Sequence, residues 1–369
     1  MSGLAFVKNY GGQRIGRESN LLAPLFDDEE TDDAATETRA DLNIEIEADD
    51  WQTVNPQLPK SWRVRDFASR PVRFIDGKDR GETVAFLRGL QGYTVPIRLA
   101  EIGSVVMENR NGELRRGFAQ VERVVTMDTS PFPWEEVETF ALALRKHNLR
   151  LLAANKLDEN FSFDWEKVRR AANWRSTQEM EMLEEFAVAQ NNDAPTIVDG
   201  PLKRLEGSFN METSPVFGVV KTYRETFLHQ HGQQILYQLD AGERTPAFSI
   251  EYDITRRGEE QKSRLPLVMW YVRICGTDGN APNIGLVRVE VSQKWFLAQG
   301  YGTAEKINAA GTDFINQLAR TIYEYRCRHS HYRRAAISLE PIIRAEESLG
   351  ALFAPRNALK SKFYHLTGL

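Results

Sequence analysis

Two short segments, FIDG at Phe74–Gly77 and IVDG at Ile197–Gly200, set an aspartate directly after an apolar run and directly before a glycine. Asp-Gly after a strand is most often a turn signal. Asp76 and Asp199, 123 residues apart, also have the chemistry to share a hard cation such as Mg²⁺ or Mn²⁺, which takes oxygen ligands. Glycine serves either role, since it frees the backbone to turn and leaves room for an ion or phosphate. A third carboxylate, Glu179, lies in DWEKVRRAANWRSTQEMEMLEEFAVAQ. Helical spacing places Val168, Ala172, Arg175, Glu179, Met182 and Phe186 along one stripe. Arg175 and Glu179 then point toward the core, while Glu181, Glu184 and Glu185 rotate to a solvated face. An unpaired buried carboxylate is costly. Either Arg175 neutralises Glu179 at i, i+4, or a divalent cation does so together with Asp76 and Asp199. Three converging carboxylates would suit hydrolysis by cation-activated water, and no Ser-His or Cys-His arrangement competes for the role of nucleophile.

The elements that must position these residues follow a simple order. PVRFIDG reads as a short strand, and TVAFLRGLQGYTVPIRLAEIGSVVMENRNGELRR as further strands with a hairpin at Asn111-Gly112. Two helices follow, PWEEVETFALALRKHNLRLLAANKL and the Glu179 segment, the latter with Asp164 as N-cap. APTIVDGPL and VFGVVKTY are buried strands. AFSIEY, LVMWYVRICG and IGLVRVEVS form a second β-rich block, before closing helices in GTDFINQLARTIYEYR and LEPIIRAEESLGALF. Strands, helices, strands, then helices imply a mixed α/β fold with a largely antiparallel sheet rather than a doubly wound one.

Composition sets the bounds. The 369 residues suit one large domain or two smaller ones. No apolar run approaches the ~18 residues of a membrane span, and MSGLAFVKNYGGQRIGR lacks the apolar core of a signal peptide. Two cysteines, Cys275 and Cys327, supply neither a disulfide framework nor a thiolate zinc site, and a reducing cytoplasm is the expected compartment. Phe26–Asp50 holds twelve acids and one arginine; taking its −11 from the net −5 leaves the remainder at +6. That segment is either loosely attached and solvated, or an acidic arm that competes with DNA for a basic cleft or docks on a basic partner. His147, His229, His231 and His365 read as surface residues. His329 and His331, in the basic stretch YRCRHSHYRRAA, read either as an exposed helix end or as a phosphate-contacting edge.

FIDGKDRG with GYTVPIRLAEIGSVV, then RSTQE, TIVDGPL, VFGVVKT, WYVRI and GLVRVEV, resembles in order the NurA nuclease family over roughly residues 71–352. The resemblance implies an RNase H-like mixed sheet flanked by helices, with an additional β-rich segment. It divides the chain into an N-terminal segment 1–60 (flexible over 26–50), a NurA-like domain 61–355 and a tail 356–369. It also implies a Mn²⁺- or Mg²⁺-dependent DNA nuclease, homodimeric, working with a HerA-like hexameric ATPase in DNA-end processing or phage defence. The chain has no GxxxxGK[ST] loop, so translocation falls to that partner. By resemblance Asp76, Glu179 and Asp199 are the metal-binding catalytic carboxylates, and Lys221 meets a phosphate or pairs with a carboxylate. Arg288 and Glu290 form a structural pair. The family's late histidine has no counterpart at Arg344-Ala345-Glu346, which leaves His331 (or His329) or Glu346 as fourth ligand. Lys78, Arg80, Lys221 and the Arg326–Arg334 cluster, Arg333 included, are expected at DNA phosphates. Trp270 and Tyr271 either stack bases or pack in the strand core. The rival readings are an RNase H-like adaptor with weakened metal coordination that regulates the ATPase, and an RNA hydrolase of the same fold.

Overall fold

The computed structural model describes residues 3–15, 41–43, 46–48, 51–89, 92–154, 165–205, 207–221, 227–255, 262–277, 281–328 and 335–369. His329, His331, Arg333 and Asp164 lie outside these. So do residues 26–40, most of the acidic segment.

Strands β3 (Arg73–Arg88), β4 (Thr94–Arg110) and β5 (Glu113–Met127) form a long antiparallel meander. The turn between β4 and β5 is the expected Asn-Gly, with Asn111 at φ 55° and Gly112 at φ 88°; two successive positive φ values match the right-handed strand twist. The other edge of β3 continues into parallel strands β7 (Thr196–Asp199) and β8 (Val216–Val220). The order β5-β4-β3-β7-β8 is an RNase H-like mixed sheet. The later β-rich block is not separate. β11 (Leu286–Ser292), β10 (Lys262–Arg273), β9 (Phe248–Thr255) and β2 (Asp41–Asn43) extend the sheet beyond β8 by antiparallel pairing. With β1 (Gln13–Arg14) on β3 and β6 (Arg150–Ala153) on β5, the described residues form one eleven-stranded sheet.

Helices cover both faces. Successive strand residues alternate sides, so Phe74 and Ile197 join one apolar cluster while Ile75 and Val198 join another. The first cluster is closed by α5 (Gln293–Ala298), α6 (Ala309–Glu324) and α7 (Glu340–Gly350), through Trp295, Phe314, Ile322 and Leu349. The second includes Ile235 and Leu236 of α4 (Gln230–Gln238) and Ala187 and Val188 of α3 (Trp165–Ala189). A third cluster, at the far end of the meander, unites α1 (Phe6–Asn9), α2 (Trp134–Arg145) and α8 (Arg356–Thr367) through Phe6, Phe140 and Phe363.

Two expectations are corrected and one open alternative is decided. The first helix stops at Arg145, because Asn148 turns left-handed at φ 59° and Arg150–Ala153 becomes β6. Trp270 and Tyr271 are wholly buried in β10, where no base can reach them. The acidic segment is not loose throughout. β2 pairs with β9, and Ile46 is in the first core cluster. Glu47 accepts from both terminal nitrogens of the fully buried Arg244 at 2.7 and 2.6 Å, and from the Ala247 amide at 2.7 Å.

Removing one partner of a buried ion pair strands the other charge. Glu47→Ala is therefore expected to cost roughly 3–5 kcal/mol in urea unfolding. A cost under about 1 kcal/mol, the range of an exposed pair, would show that Arg244 finds water or another partner.

Candidate metal centre

Asp76 does not end its strand. It is the fourth residue of a sixteen-residue β3, and its placement comes from register. β3 and β7 pair in parallel at Arg73–Thr196, Phe74–Ile197 and Ile75–Val198, and there the pairing ends. One step further, Asp76 and Asp199 stand on neighbouring strands, both on the face shared by Phe74 and Ile197. Asp76 is buried, with no hydrogen bond or ion pair among the described residues. Burial first, then Asp199 and Glu184, push its carboxyl well above the usual carboxylate range; Lys221 pulls it back and Glu346 adds to the rise.

The two Asp-Gly pairs use glycine differently. Gly200 lies at φ 120°, a true turn residue, and the Arg204 guanidinium fills the space where a side chain would stand. Gly77 stays in the strand, opposite Ser104 of β4. A Cβ there would collide with Met180 Sδ and meet Glu184 Cδ at 2.6 Å. Gly77 thus points to the face opposite Asp76 and lets α3 lie there, bringing a carboxylate down onto the strand.

That carboxylate is Glu184, not Glu179. Stepping by four from Val168 gives Ala172, Ser176, Met180, Glu184 and Val188, all buried. The predicted stripe moved three residues at Ala172 and slipped to an adjoining face, where Met182 and Phe186 are about half exposed. Glu179 sits at the other margin of the buried face. It pairs with Arg175 at 2.8 Å, the i, i+4 alternative, and with Arg150 of β6. Burial raises the Glu179 carboxyl, but Arg150 and Arg175 outweigh it and hold the carboxyl below its usual value. Its charge is balanced within the fold by these two arginines.

Glu184 is the reverse case. Its Oε2 is buried without a hydrogen-bond partner, 3.6 Å from Arg204 Nη1. Burial pushes the carboxyl up to about 7, with Arg204 and the Gly77 backbone opposing and Asp199 and Glu181 adding to the rise. Ser104, across from Gly77, also has a buried hydroxyl without a partner.

Cations surround the acids. Lys221, just beyond β8, donates to Asp199 Oδ2 at 2.7 Å. Arg204 donates to the Asp199 carbonyl at 2.7 Å. From α7, Glu346 faces the site and accepts from Lys78 at 2.8 Å, both about a third exposed. Arg80 is turned inward, bonded to Glu101 and the Ala354 carbonyl with its guanidinium 4.7 Å from the Phe353 ring centre. It is therefore not a phosphate contact in this arrangement. Arg288 and Glu290 pair at 2.8 Å as expected, and Glu290 also accepts from the Leu202 amide at 2.8 Å, clasping the turn after Asp199.

Among the described residues, no three His, Cys, Asp or Glu side chains are gathered closely enough to form a ready-made metal cage. The chemistry of the donors nevertheless suits a hard cation. Among the described residues Asp76 carries a carboxylate with no hydrogen bond, and Asp199, Glu184 and Glu346 each push its carboxyl up.

No family model matches the chain, and no curated protein matches it. Among solved structures, it is similar to the crystal structure of the NurA nuclease from Sulfolobus solfataricus. The match covers 98% of this chain and 93% of that one, at 10% sequence identity and a TM-score of 0.39. No helix among the described residues is long and apolar enough to cross a membrane.

A carboxyl raised on folding contributes stability below its unfolded value and loses it as pH rises through the folded value. For Glu184 that window runs from 4.5 to about 7. In chelator, Glu184→Gln is expected to exceed the wild type in stability at pH 8, by on the order of 1–3 kcal/mol. The difference should vanish below pH 4.5, where Glu184 is protonated in both states. Parallel stability curves from pH 4 to 8 would mean that Glu184 is not held in the charge-disfavouring pocket described.

Proposed function

We propose that this protein is a divalent-metal-dependent DNA nuclease. The observation that carries the reading is the placement of Asp76 and Asp199 one step past the last β3–β7 pair, with Glu184 near enough to raise the buried Asp76 carboxyl. A buried carboxylate without a hydrogen bond, such as that of Asp76, is costly in a purely structural role, and a cation relieves the cost. The sequence resemblance to NurA nucleases supports the same reading independently of geometry.

In this proposal Asp76, Asp199 and Glu184 hold the ion, Mn²⁺ or Mg²⁺, and Glu346 is the fourth candidate ligand. When bound, the ion supplies an activated water for attack on phosphorus and stabilises the leaving oxygen. The chain's own groups do the rest. Lys221 orients Asp199 through its 2.7 Å hydrogen bond and would meet a phosphate oxygen with its ammonium. Lys78, at the partly exposed rim, exchanges Glu346 for a backbone phosphate. Burial of Asp76 restricts bulk water at the reacting face. A homodimeric assembly and a HerA-like hexameric ATPase as translocating partner belong to this proposal through the resemblance, as do a cytoplasmic setting and roles in end processing or phage defence.

The adaptor reading has one observation in its favour. Lys221 and Lys78 already neutralise Asp199 and Glu346, so those acids have internal partners without a metal.

Wild type is expected to degrade linear DNA in Mn²⁺, and Asp76→Asn to lose about a hundredfold or more of that activity, measured with and without an ATPase partner. Mn²⁺ should also raise the melting temperature of wild type but not of Asp76→Asn. Equal activity of the two proteins would place the chemistry elsewhere. A thermal shift without hydrolysis in either condition would favour the adaptor.

A further inference from the structure

One cleft of about 810 Å³ contains none of the carboxylates described above. It lies between the segment Pro56–Arg65 and the last turns of α6, and its wall is basic with one aromatic: Lys60, Trp62, Arg63 and Arg65 on one side, Arg320 and Glu324 on the other. Trp62 packs on the first apolar cluster, and its indole N–H is buried with no hydrogen-bond partner. Lys60 forms no ion pair among the described residues, and the Arg65 side chain is 80% exposed, 4.0 Å from Asp66. Arg63 donates to the Lys60 and Trp62 carbonyls, fixing the curve of the wall while its charge stays in the cleft. Only Arg320 is neutralised within the lining, by Glu324 at 2.7 Å. Four cations thus face one acid around a cleft that leads down to an indole.

The same elements are fastened to the candidate metal centre. Just past α6, the Tyr325 hydroxyl donates to the Pro71 carbonyl at 3.2 Å, and its ring packs edge-on against Phe74, 5.4 Å between centres. Phe74 precedes Asp76 by two residues on the same face of β3. A ligand held in the cleft would therefore be held by a wall rigidly continuous with the strand that carries Asp76.

We propose that this cleft is a binding track for single-stranded nucleic acid, with Lys60, Arg63 and Arg65 on successive phosphates and Trp62 against an unpaired base. Phosphate charge accounts for the cation excess. Aromatic stacking at the bottom of a concave cleft favours an unpaired base, because every base has a face to offer and a duplex keeps that face covered. The inference deepens the nuclease reading by naming the form of substrate, and it rests on that reading only for the claim that the bound strand goes on to be cut.

The test uses fluorescence anisotropy of labelled oligo-dT with the full chain in chelator, so that binding is read without hydrolysis. Lys60→Glu with Arg65→Glu is expected to weaken binding at least tenfold, and to lower the slope of log K against log salt by about 1.4, at ~0.7 per phosphate contact on a single strand. Trp62→Phe, which keeps an apolar ring on the core, should weaken binding severalfold without changing that slope. A melting temperature within the range of wild type shows that these variants are folded. Unchanged dT affinity in the charge-reversed protein, tighter binding of duplex than of single strand, or equal competition by inorganic polyphosphate would each overturn the proposal. Asp76→Asn separates the two readings. If it binds dT like wild type while the cleft variants do not, and no preparation hydrolyses DNA, the track stands and the nuclease falls. If the cleft variants bind normally while only Asp76→Asn loses hydrolysis, the nuclease stands and the track falls.

Discussion

Two aspartates on adjacent parallel strands, at the point where their pairing stops, constrain this molecule more than any other contact. Burial and the neighbouring Asp199 both disfavour charge on Asp76, and a cation close by would relieve that. Every nearby element supplies part of the answer. β8 delivers Lys221, the turn after β7 delivers Arg204, and the rim of β3 delivers Lys78. Helix α3 makes the problem worse by adding Glu184, whose second oxygen the protein leaves unsatisfied. A fold selected only for stability would place an apolar or hydrogen-bonded group there.

The charge pattern further along β3 is of a different kind. Asp79 accepts from Arg98 and Ser176 at 2.9 and 2.5 Å, and Glu101 is shared by Arg80, Arg123 and the Ala354 amide. These acids are saturated. They lock the long meander to α3 and to the segment after α7, so that the unsaturated cluster is carried on a rigid ribbon. The contrast between saturated and unsaturated acids on one strand is what separates scaffold from candidate site.

Much of this was legible in the sequence, and the failures have physical causes. Alternation in FIDG and IVDG, the Asn111-Gly112 turn and the long helix all follow from local rules that tertiary packing did not overrule. Glu184 was legible too, in the row Val168, Ala172, Ser176, Met180, Glu184, Val188, but the polar Ser176 disguised it and the more apolar Met182 and Phe186 drew the stripe away. The role of Gly77 was not legible, since a glycine that admits a helix looks the same in sequence as one that admits an ion. Nor was the fate of Arg80, whose partners Glu101 and Ala354 are distant along the chain. Glu47 hid within an acidic run, and only the buried Arg244 distinguishes it from its neighbours.

Glu290 accepts the Leu202 amide from deep within β11 while paired to Arg288. The bend that aims Asp199 is thus pinned by a strand contributed some ninety positions later in the chain. The eleven strands cannot be split into a chemical half and a decorative half: β11 both pairs with β8 and holds the Leu202 amide, so whatever disturbs it reaches Lys221 and the turn after Asp199. Trimming the protein to a minimal five-strand unit would leave Asp199 held by β8 but the turn after it without its clasp.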